Sequence, residues 1–218
     1  MPMVRAMRML NAIEAGMTTG SELETLLTGD AGRLADLSVL LALRGQARRI
    51  AATSTAMNAV AESSTAMNAV VASSTAIAAV AASSTAMSAV IASSAAKMAV
   101  FNSDTALAAI AASSTALTAM RASASYSLYG GTTGTISGPS SDGSYIVLGL
   151  SSTNGTNGTV TISTRRSGSS ISNSQVANLP TANDGKTYNV AIPVVSPFSV
   201  SNSASGWTWF VGMFRCDI

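Results

Sequence analysis

The sequence is dominated by a ten-residue motif that repeats seven times without interruption between residues 51 and 120. The copies read AATSTAMNAV, AESSTAMNAV, VASSTAIAAV, AASSTAMSAV, IASSAAKMAV, FNSDTALAAI and AASSTALTAM. Alanine occupies positions six and nine of every copy, and an apolar residue ends each one. A fixed period means that every copy adopts the same local structure, so this repeat constrains the fold more than any other feature of the chain.

The repeat favours helix over strand. Positions seven and ten hold the larger apolar residues, and three residues apart is a spacing that fits one side of a helix. In a strand the same two positions would fall on opposite faces. Ten residues at about 100° each fall roughly 80° short of three full turns, so we expect a helix with a regular distortion at each Ser-Ser-Thr. The sequence leaves open whether that helix is continuous or interrupted.

The apolar positions form a stripe that is too narrow to be the core of one chain. We therefore predict that parallel copies bury it together, in a coiled-coil-like stalk on the order of 100 Å long. Ice binding by aligned threonines and a disordered linker are alternatives, which the period of ten and the strict recurrence of methionine and valine disfavour. The predicted oligomer seam consists of Met57, Val60, Met67, Val70, Ile77, Val80, Met87, Val90, Val100, Leu107, Ile110, Leu117 and Met120.

One copy breaks the apolar pattern with a charge. Lys97 stands in the methionine position, and Asp104 replaces a serine about two helical turns later. We expect these two residues to pair between chains and fix their register, as polar seam residues do in coiled coils. The alternative is that both point into solvent.

Residues 1–50 are predicted to form a separate helical module. Apolar residues at helical spacing run from Val4 to Ala15 and end at Gly16. Ser21 and Glu24 have the spacing of a capping box, and a further helix is expected from about Ala31 to Leu43. Fifty residues bury little surface, so we expect the module to dock on a partner or on copies of itself.

The composition changes abruptly in residues 122–218, which hold most of the glycine, proline and aromatic residues. Glycine-rich and asparagine-rich turns separate short apolar runs, a pattern typical of an antiparallel β-sandwich or barrel. The predicted strands are Ser144–Leu150, Gly158–Thr164, Thr187–Val195 and Trp207–Phe214. The chain is thus expected to be an α+β multi-domain protein divided into residues 1–50, 51–121 and 122–218.

The composition excludes several functions. The chain has no histidine and one cysteine, which removes the usual histidine-dependent catalytic arrangements and zinc ligand sets, so we expect no enzyme, no metal and no cofactor. Its 12 basic and 10 acidic residues form no patch that would bind nucleic acid. The apolar runs are too short for membrane insertion, and no secretory signal is evident. Cys216 reads as a small buried hydrophobe.

Aromatic and basic side chains in residues 122–218 are the better candidates for a function. Tryptophan and tyrosine present an apolar ring with a polar group, which suits contact with a sugar or a protein surface. Burial of the tryptophan strand, at a subunit interface, is the alternative. The candidate receptor contacts are Trp207, Trp209, Tyr129, Tyr145, Arg165 and Arg166.

The segment RGQARRIAATSTAMNAV, residues Arg44–Val60, and the copies that follow it resemble tail fibre proteins of tailed bacteriophages. The resemblance covers mainly residues 1–120. It implies a homotrimer that attaches to the tail or baseplate by its N-terminus and contacts a glycan or protein of the host surface with residues 122–218. Such a protein is made in the host cytoplasm and ends up in the virion. A purely structural baseplate or decoration protein with a trimer-capping tip, or a bacterial trimeric surface adhesin, is the alternative.

Overall fold

The computed structural model of the protein describes residues 2–131, 135–137, 143–152, 158–163, 175–179, 187–195, 199–202 and 209–217. These residues form helices followed by antiparallel strands, and the chain divides into two compact units, Met1–Met120 and Arg121–Ile218. The α+β class is confirmed. The helices are α1 (Pro2–Glu14), α2 (Gly20–Gly29), α3 (Ala31–Ala42), α4 (Arg44–Ala52), α5 (Ser54–Glu62), α6 (Ser64–Ala72), α7 (Ser74–Ala81), α8 (Ser84–Ala92), α9 (Ser94–Phe101), α10 (Asp104–Ala111) and α11 (Ser114–Arg121).

Each decad begins a new helix. The residue at position three has an extended backbone, with φ −90° and ψ 114° at Ser63 and φ −116° and ψ 113° at Ser103. In every decad after the first, its hydroxyl accepts a hydrogen bond from the amide three residues on, as an N-cap does. Consecutive helices are bent by 103° at two of these breaks, between α6 and α7 and between α8 and α9. The predicted distortion is a complete break, so the expectation of an extended coiled-coil stalk is wrong for this chain.

The broken helices wind into a solenoid, in which each helix from α2 to α7 packs on the third helix after it. Thus α4 packs on α7, α7 on α10, and α5 on α8. Three helices therefore complete one turn of the superhelix. As in other repeat folds, each turn is stabilised by its contacts with the neighbouring turns. With layers about 9 Å apart, the seven decad helices rise roughly 20 Å instead of the predicted 100 Å.

A ladder of serine hydroxyls joins successive turns of the solenoid. The Oγ of Ser83 donates to the carbonyl of Ala51 at 2.6 Å, and that of Ser93 donates to Ala61 at 2.6 Å. Ser73, Ser103 and Ser113 make the same bond, each to the residue 32 positions earlier. The acceptor lies in the last turn of its helix, where carbonyls lack an intrahelical partner. One hydroxyl therefore satisfies an amide at the start of one helix and a carbonyl at the end of another.

Alanine at position six lets the helices approach closely. These seven alanines are at most 1% exposed: Ala56, Ala66, Ala76, Ala86, Ala96, Ala106 and Ala116. The core of the solenoid thus includes small residues as well as the larger ones at positions seven and ten. The apolar surface that seemed too narrow to bury itself is wide enough for one chain, because several positions of each decad contribute to it.

The N-terminal helices belong to the same solenoid. Helix α2 packs on α5 and α3 packs on α6, so the predicted boundary at residue 50 is not found, whereas the second unit begins one residue from the boundary predicted after residue 121. The predictions for α1 and α3 are confirmed, and Gly16, with φ +71°, follows α1. The predicted capping box is misplaced, because Thr19 caps α2 and exchanges hydrogen bonds with Glu22.

The described residues of the second unit form two four-stranded antiparallel sheets, with strand orders β1-β8-β3-β6 and β2-β7-β4-β5. Four strands lie where the sequence predicted them, namely β3, β4, β6 and β8. The other four are short and were not predicted. The strands are β1 (Tyr126–Gly131), β2 (Thr135–Ser137), β3 (Ser144–Ser152), β4 (Gly158–Ser163), β5 (Gln175–Leu179), β6 (Thr187–Val195), β7 (Ser199–Asn202) and β8 (Trp209–Arg215).

The first sheet is buried on both faces at its centre. Tyr145, Val147 and Met213 belong to an apolar cluster on one face. Ile146 and Phe214, whose side chains alternate with these, are at most 1% exposed. Burial on both faces shows that β3 and β8 are interior strands of this unit.

Candidate functional site

The thirteen residues of the predicted seam lie inside the helical unit of a single chain. None of them is more than 4% exposed: Met57, Val60, Met67, Val70, Ile77, Val80, Met87, Val90, Val100, Leu107, Ile110, Leu117 and Met120. Because the chain changes direction at each decad, the apolar residues of successive helices all face the interior of the solenoid and pack against one another. These residues build the core of the solenoid, and the prediction that they form an intermolecular seam is wrong.

The predicted register pair is divided between interior and surface. Lys97 is 4% exposed in the core position of α9, whereas Asp104 is exposed in the first turn of α10. An acid near the start of a helix favourably opposes the helix dipole. The structure thus gives Asp104 a local role on the surface and places Lys97 away from any face that could meet another chain.

The predicted receptor contacts have different fates. Tyr145 is buried in the apolar cluster, so the prediction that it contacts a receptor is wrong. Tyr129 is partly buried against the same cluster. The backbone of Trp209 pairs with Gly131 and Ser152 in the first sheet. The remaining three candidates, Trp207, Arg165 and Arg166, lie outside the described residues.

Arg215 is a polar residue of the first sheet that sequence analysis did not single out. It lies opposite Tyr145 across β3 and β8, with its guanidinium 5.8 Å from the centre of the tyrosine ring. Its Nε also donates to Asp217 at 2.8 Å, and this hydrogen bond raises the pKa of Arg215. The cation is therefore held by an aromatic face and a carboxylate at the end of its strand.

A carboxylate joins the N-terminal helices to the first decads. Glu24 of α2 accepts hydrogen bonds from the Ser63 hydroxyl at 2.6 Å, the Thr65 amide at 2.9 Å and the Thr65 hydroxyl at 2.7 Å. These bonds, that of Ser63 foremost, lower the pKa of Glu24 to about 2. Later serines of the ladder donate to a backbone carbonyl, whereas Ser63 donates to the carboxylate of Glu24. Glu24 therefore takes the place of the carbonyl acceptor.

The solenoid also has an open groove with two arginines, between α4 and α7. It has a volume of about 520 Å³ and is lined by Arg44, Arg48, Ala51, Ala52, Thr75, Ala78, Ala79, Ala82 and Ser83. Residues of the first fifty meet decad residues here because α4 and α7 are one superhelical turn apart. The groove has the charge and volume of a binding site, and sequence analysis missed it.

The described residues contain no group of three His, Cys, Asp or Glu side chains that could hold a metal ion. Cys216 is buried, as predicted. Among the same residues no single helix is long and apolar enough to cross a membrane, and two helix pairs, α6 with α7 and α8 with α9, meet that test only when taken together across their 103° bends.

The comparisons with known proteins place the chain in no family. No protein-family model matches the sequence. A search of curated proteins finds no significant match.

Proposed function

We propose that the chain is a tail fibre protein of a tailed bacteriophage, attached to the tail or baseplate by residues 1–50 and contacting the host surface by residues 122–218. The resemblance of Arg44–Val60 and the later decads to such fibres supports this function. The observation that argues most for it is the serine ladder, because it makes a rigid solenoid from residues without chemistry of their own. A rigid spacer between two chain ends suits a protein that holds one partner and reaches another.

We propose that the two sheets of the second unit pack as a β-sandwich. The first sheet buries an apolar cluster that includes Val147, Val194 and Val211, and an apolar face of a sheet needs a second layer to cover it. The second sheet has the same strand number and the antiparallel pairing that sandwiches use. Turns at the ends of such a sandwich are where host contacts would be made.

The homotrimer that the resemblance implies needs contacts other than the decad stripe. We place them in the second unit, where Leu128 is 60% exposed on β1, an edge strand of the first sheet. An exposed apolar edge strand readily pairs with another chain.

Immunogold electron microscopy tests the virion assignment. An antiserum raised against the full chain is expected to label the tails of phage particles from cells that express this protein, and to reduce their adsorption to host cells. Labelling of uninfected bacterial surfaces would instead support a surface adhesin, and unlabelled particles would refute the proposal.

A structural protein whose β unit caps an oligomer is a second candidate. It is favoured by the burial of Tyr145, which removes one of the aromatic residues expected to contact a receptor. Binding of the fluorescent full chain to host cells separates the two candidates. Saturable binding of the chain to host cells supports the receptor-binding fibre. If the antiserum labels the phage particle but the chain does not bind host cells, the cap is supported.

A further inference from the structure

The groove between α4 and α7 differs from the surface of the decads in its charge. The decads contribute only Glu62, Lys97 and Asp104 as charged residues, and Lys97 is buried. The groove, by contrast, places Arg44 and Arg48 on one wall above small side chains. Both arginines are exposed.

No carboxylate of the described residues pairs with Arg44 or Arg48. Other arginines of the same unit do have acidic partners: Arg5 with Asp36, Arg33 with Asp30, and Arg49 with Glu14. Arg49 even lies on the same helix as the two unpaired ones. Arg8 of α1 likewise has no acidic partner among the described residues, so the groove is distinguished by two such arginines, Arg44 and Arg48, that line it together.

The positions of Arg44 and Arg48 on α4 are electrostatically unfavourable. Arg44 and Arg48 are four residues apart on α4, where two like charges repel each other. Arg44 is also the first residue of that helix, where the dipole disfavours a cation, and Leu43 before it provides no side-chain cap. An anionic ligand held by both guanidinium groups would offset the repulsion between them.

The lining of the groove indicates which kind of anion fits. Its floor consists of small apolar side chains, Ala51, Ala52, Ala78, Ala79 and Ala82, with the hydroxyl of Thr75 beside them. None of the described residues that line it is aromatic, so a sugar ring would have no stacking surface. Alanine methyl groups allow a polypeptide to approach closely, and the fork of a guanidinium matches a carboxylate in two hydrogen bonds.

We infer that the groove between α4 and α7 binds an acidic peptide segment of a partner protein. Arg44 and Arg48 each hold a carboxylate of the peptide, and the alanine floor lies against its apolar side. This inference goes beyond the proposed function, because it follows from the groove itself and holds for whichever assembly contains the chain.

Fluorescence anisotropy with the full chain tests the inference. The probe is a short fluorescein-labelled peptide of alternating glutamate and alanine, titrated at low and at physiological salt. The double variant Arg44→Gln/Arg48→Gln is expected to weaken binding by about 10- to 100-fold, because two charge-assisted contacts are lost. The matched control is Arg8→Gln, an exposed arginine of α1 outside the groove, which should leave binding unchanged.

A second variant removes the space and keeps the charges. Ala78 is exposed on the floor, so Ala78→Leu should fold normally and still weaken binding of the peptide. The double arginine variant should be at least as stable to urea as the native chain, since it loses a repulsion, and its loss of binding then has no structural cause.

Three results would overturn the inference. The first is peptide binding that does not change in the double arginine variant. The second is equal binding of a lysine–alanine peptide, which would show that charge is not recognised. The third is tighter binding of a sulfated polysaccharide at the same groove, which would assign the site to a glycan.

Discussion

Replacing one serine of the ladder should cost much more than replacing its neighbour. Ser93 accepts a hydrogen bond from the amide of Ala96 at 3.2 Å and donates to the carbonyl of Ala61 at 2.6 Å. Both alanines are at most 1% exposed. Ser93→Ala therefore leaves a buried amide and a buried carbonyl without partners, whereas Ser94→Ala changes only an exposed side chain at the first position of α9.

The magnitude follows from the two lost bonds. An N-cap serine contributes about 1 kcal/mol. A buried carbonyl left without its partner costs about 1–2 kcal/mol more. Ser93→Ala should thus lower the free energy of unfolding by roughly 2–3 kcal/mol, while Ser94→Ala should change it by less than about 0.5 kcal/mol. For a unit of this size the larger effect lowers Tm by about 5–10 °C.

Urea unfolding followed by far-ultraviolet circular dichroism measures both variants against the native chain. Hydrogen exchange adds a local test, because the amide of Ala96 should lose protection in Ser93→Ala before amides of distant layers do. Equal free energies of unfolding for the Ser93 and Ser94 variants would refute the reasoning. They would mean that water replaces both hydrogen bonds of the Ser93 hydroxyl without a loss of free energy. The ladder would then add nothing to the stability of the solenoid.

Three further changes test other contacts of the helical unit. Glu24→Gln should lower the free energy of unfolding by about 1–2 kcal/mol at neutral pH, since charge-assisted bonds are lost. Because the folded pKa of Glu24 is about 2, below its ordinary value of 4.5, the native carboxylate stabilises the fold above pH 4.5 and loses that contribution as the pH falls towards 2, so the two proteins should converge in acid denaturation. Lys97→Met, which restores the consensus residue at a buried position of one chain, should leave the mass in analytical ultracentrifugation unchanged. Gly20→Ala should destabilise by about 1–3 kcal/mol in thermal unfolding, because its methyl group would overlap the side chain of Glu62, whereas Gly45→Ala, where space is open, should stabilise by about 0.5 kcal/mol.

Each of these changes has an outcome that contradicts its reasoning. For Glu24 it is a stability difference that persists unchanged at low pH. For Lys97 it is a change of oligomer mass, which would restore a role between chains. For the glycines it is a Gly20 variant as stable as the Gly45 variant.

In the second unit the sequence predicted the longer apolar strands and missed the other strands that pair with them. The run Ser144–Leu150 was recognisable because β-branched and aromatic residues lie between turn residues, and β3 begins at the same serine. By contrast β1, with sequence YSLYGG, and β7, with sequence SVSN, have too few apolar residues to give a strand signal. Their conformation is set by pairing with β8 and β4, which are distant in sequence.

The decads show a different limit of sequence reasoning. The spacing of positions seven and ten correctly indicated helix, and the serines were correctly expected to disturb it, but the break that recurs at every tenth residue ends each helix completely. Alanine at position six was not assigned to the apolar stripe, although its burial makes it part of the core. These two features together turn a stripe that seemed to need other chains into the interior of one.

The groove could not have been predicted from local patterns. Arg48 and Ala79 come together because α4 and α7 stack one superhelical turn apart. The sequence separation of Arg48 and Ala79 does not predict a contact unless the number of helices per superhelical turn is known. A search for serines that recur at the start of helices would have suggested closed turns, and hence which segments become neighbours.

The 32-residue reach of the serine bonds has a consequence for how such a gene can change in length. A duplication or deletion of one decad would keep every bond type intact yet turn the exit direction of the last helix by about a third of a revolution. Gains and losses in groups of three decads would restore that direction and alter only the height. Slippage during DNA replication across this repetitive tract would thus yield chains that all fold, with the direction of the final helix set by the copy number modulo three.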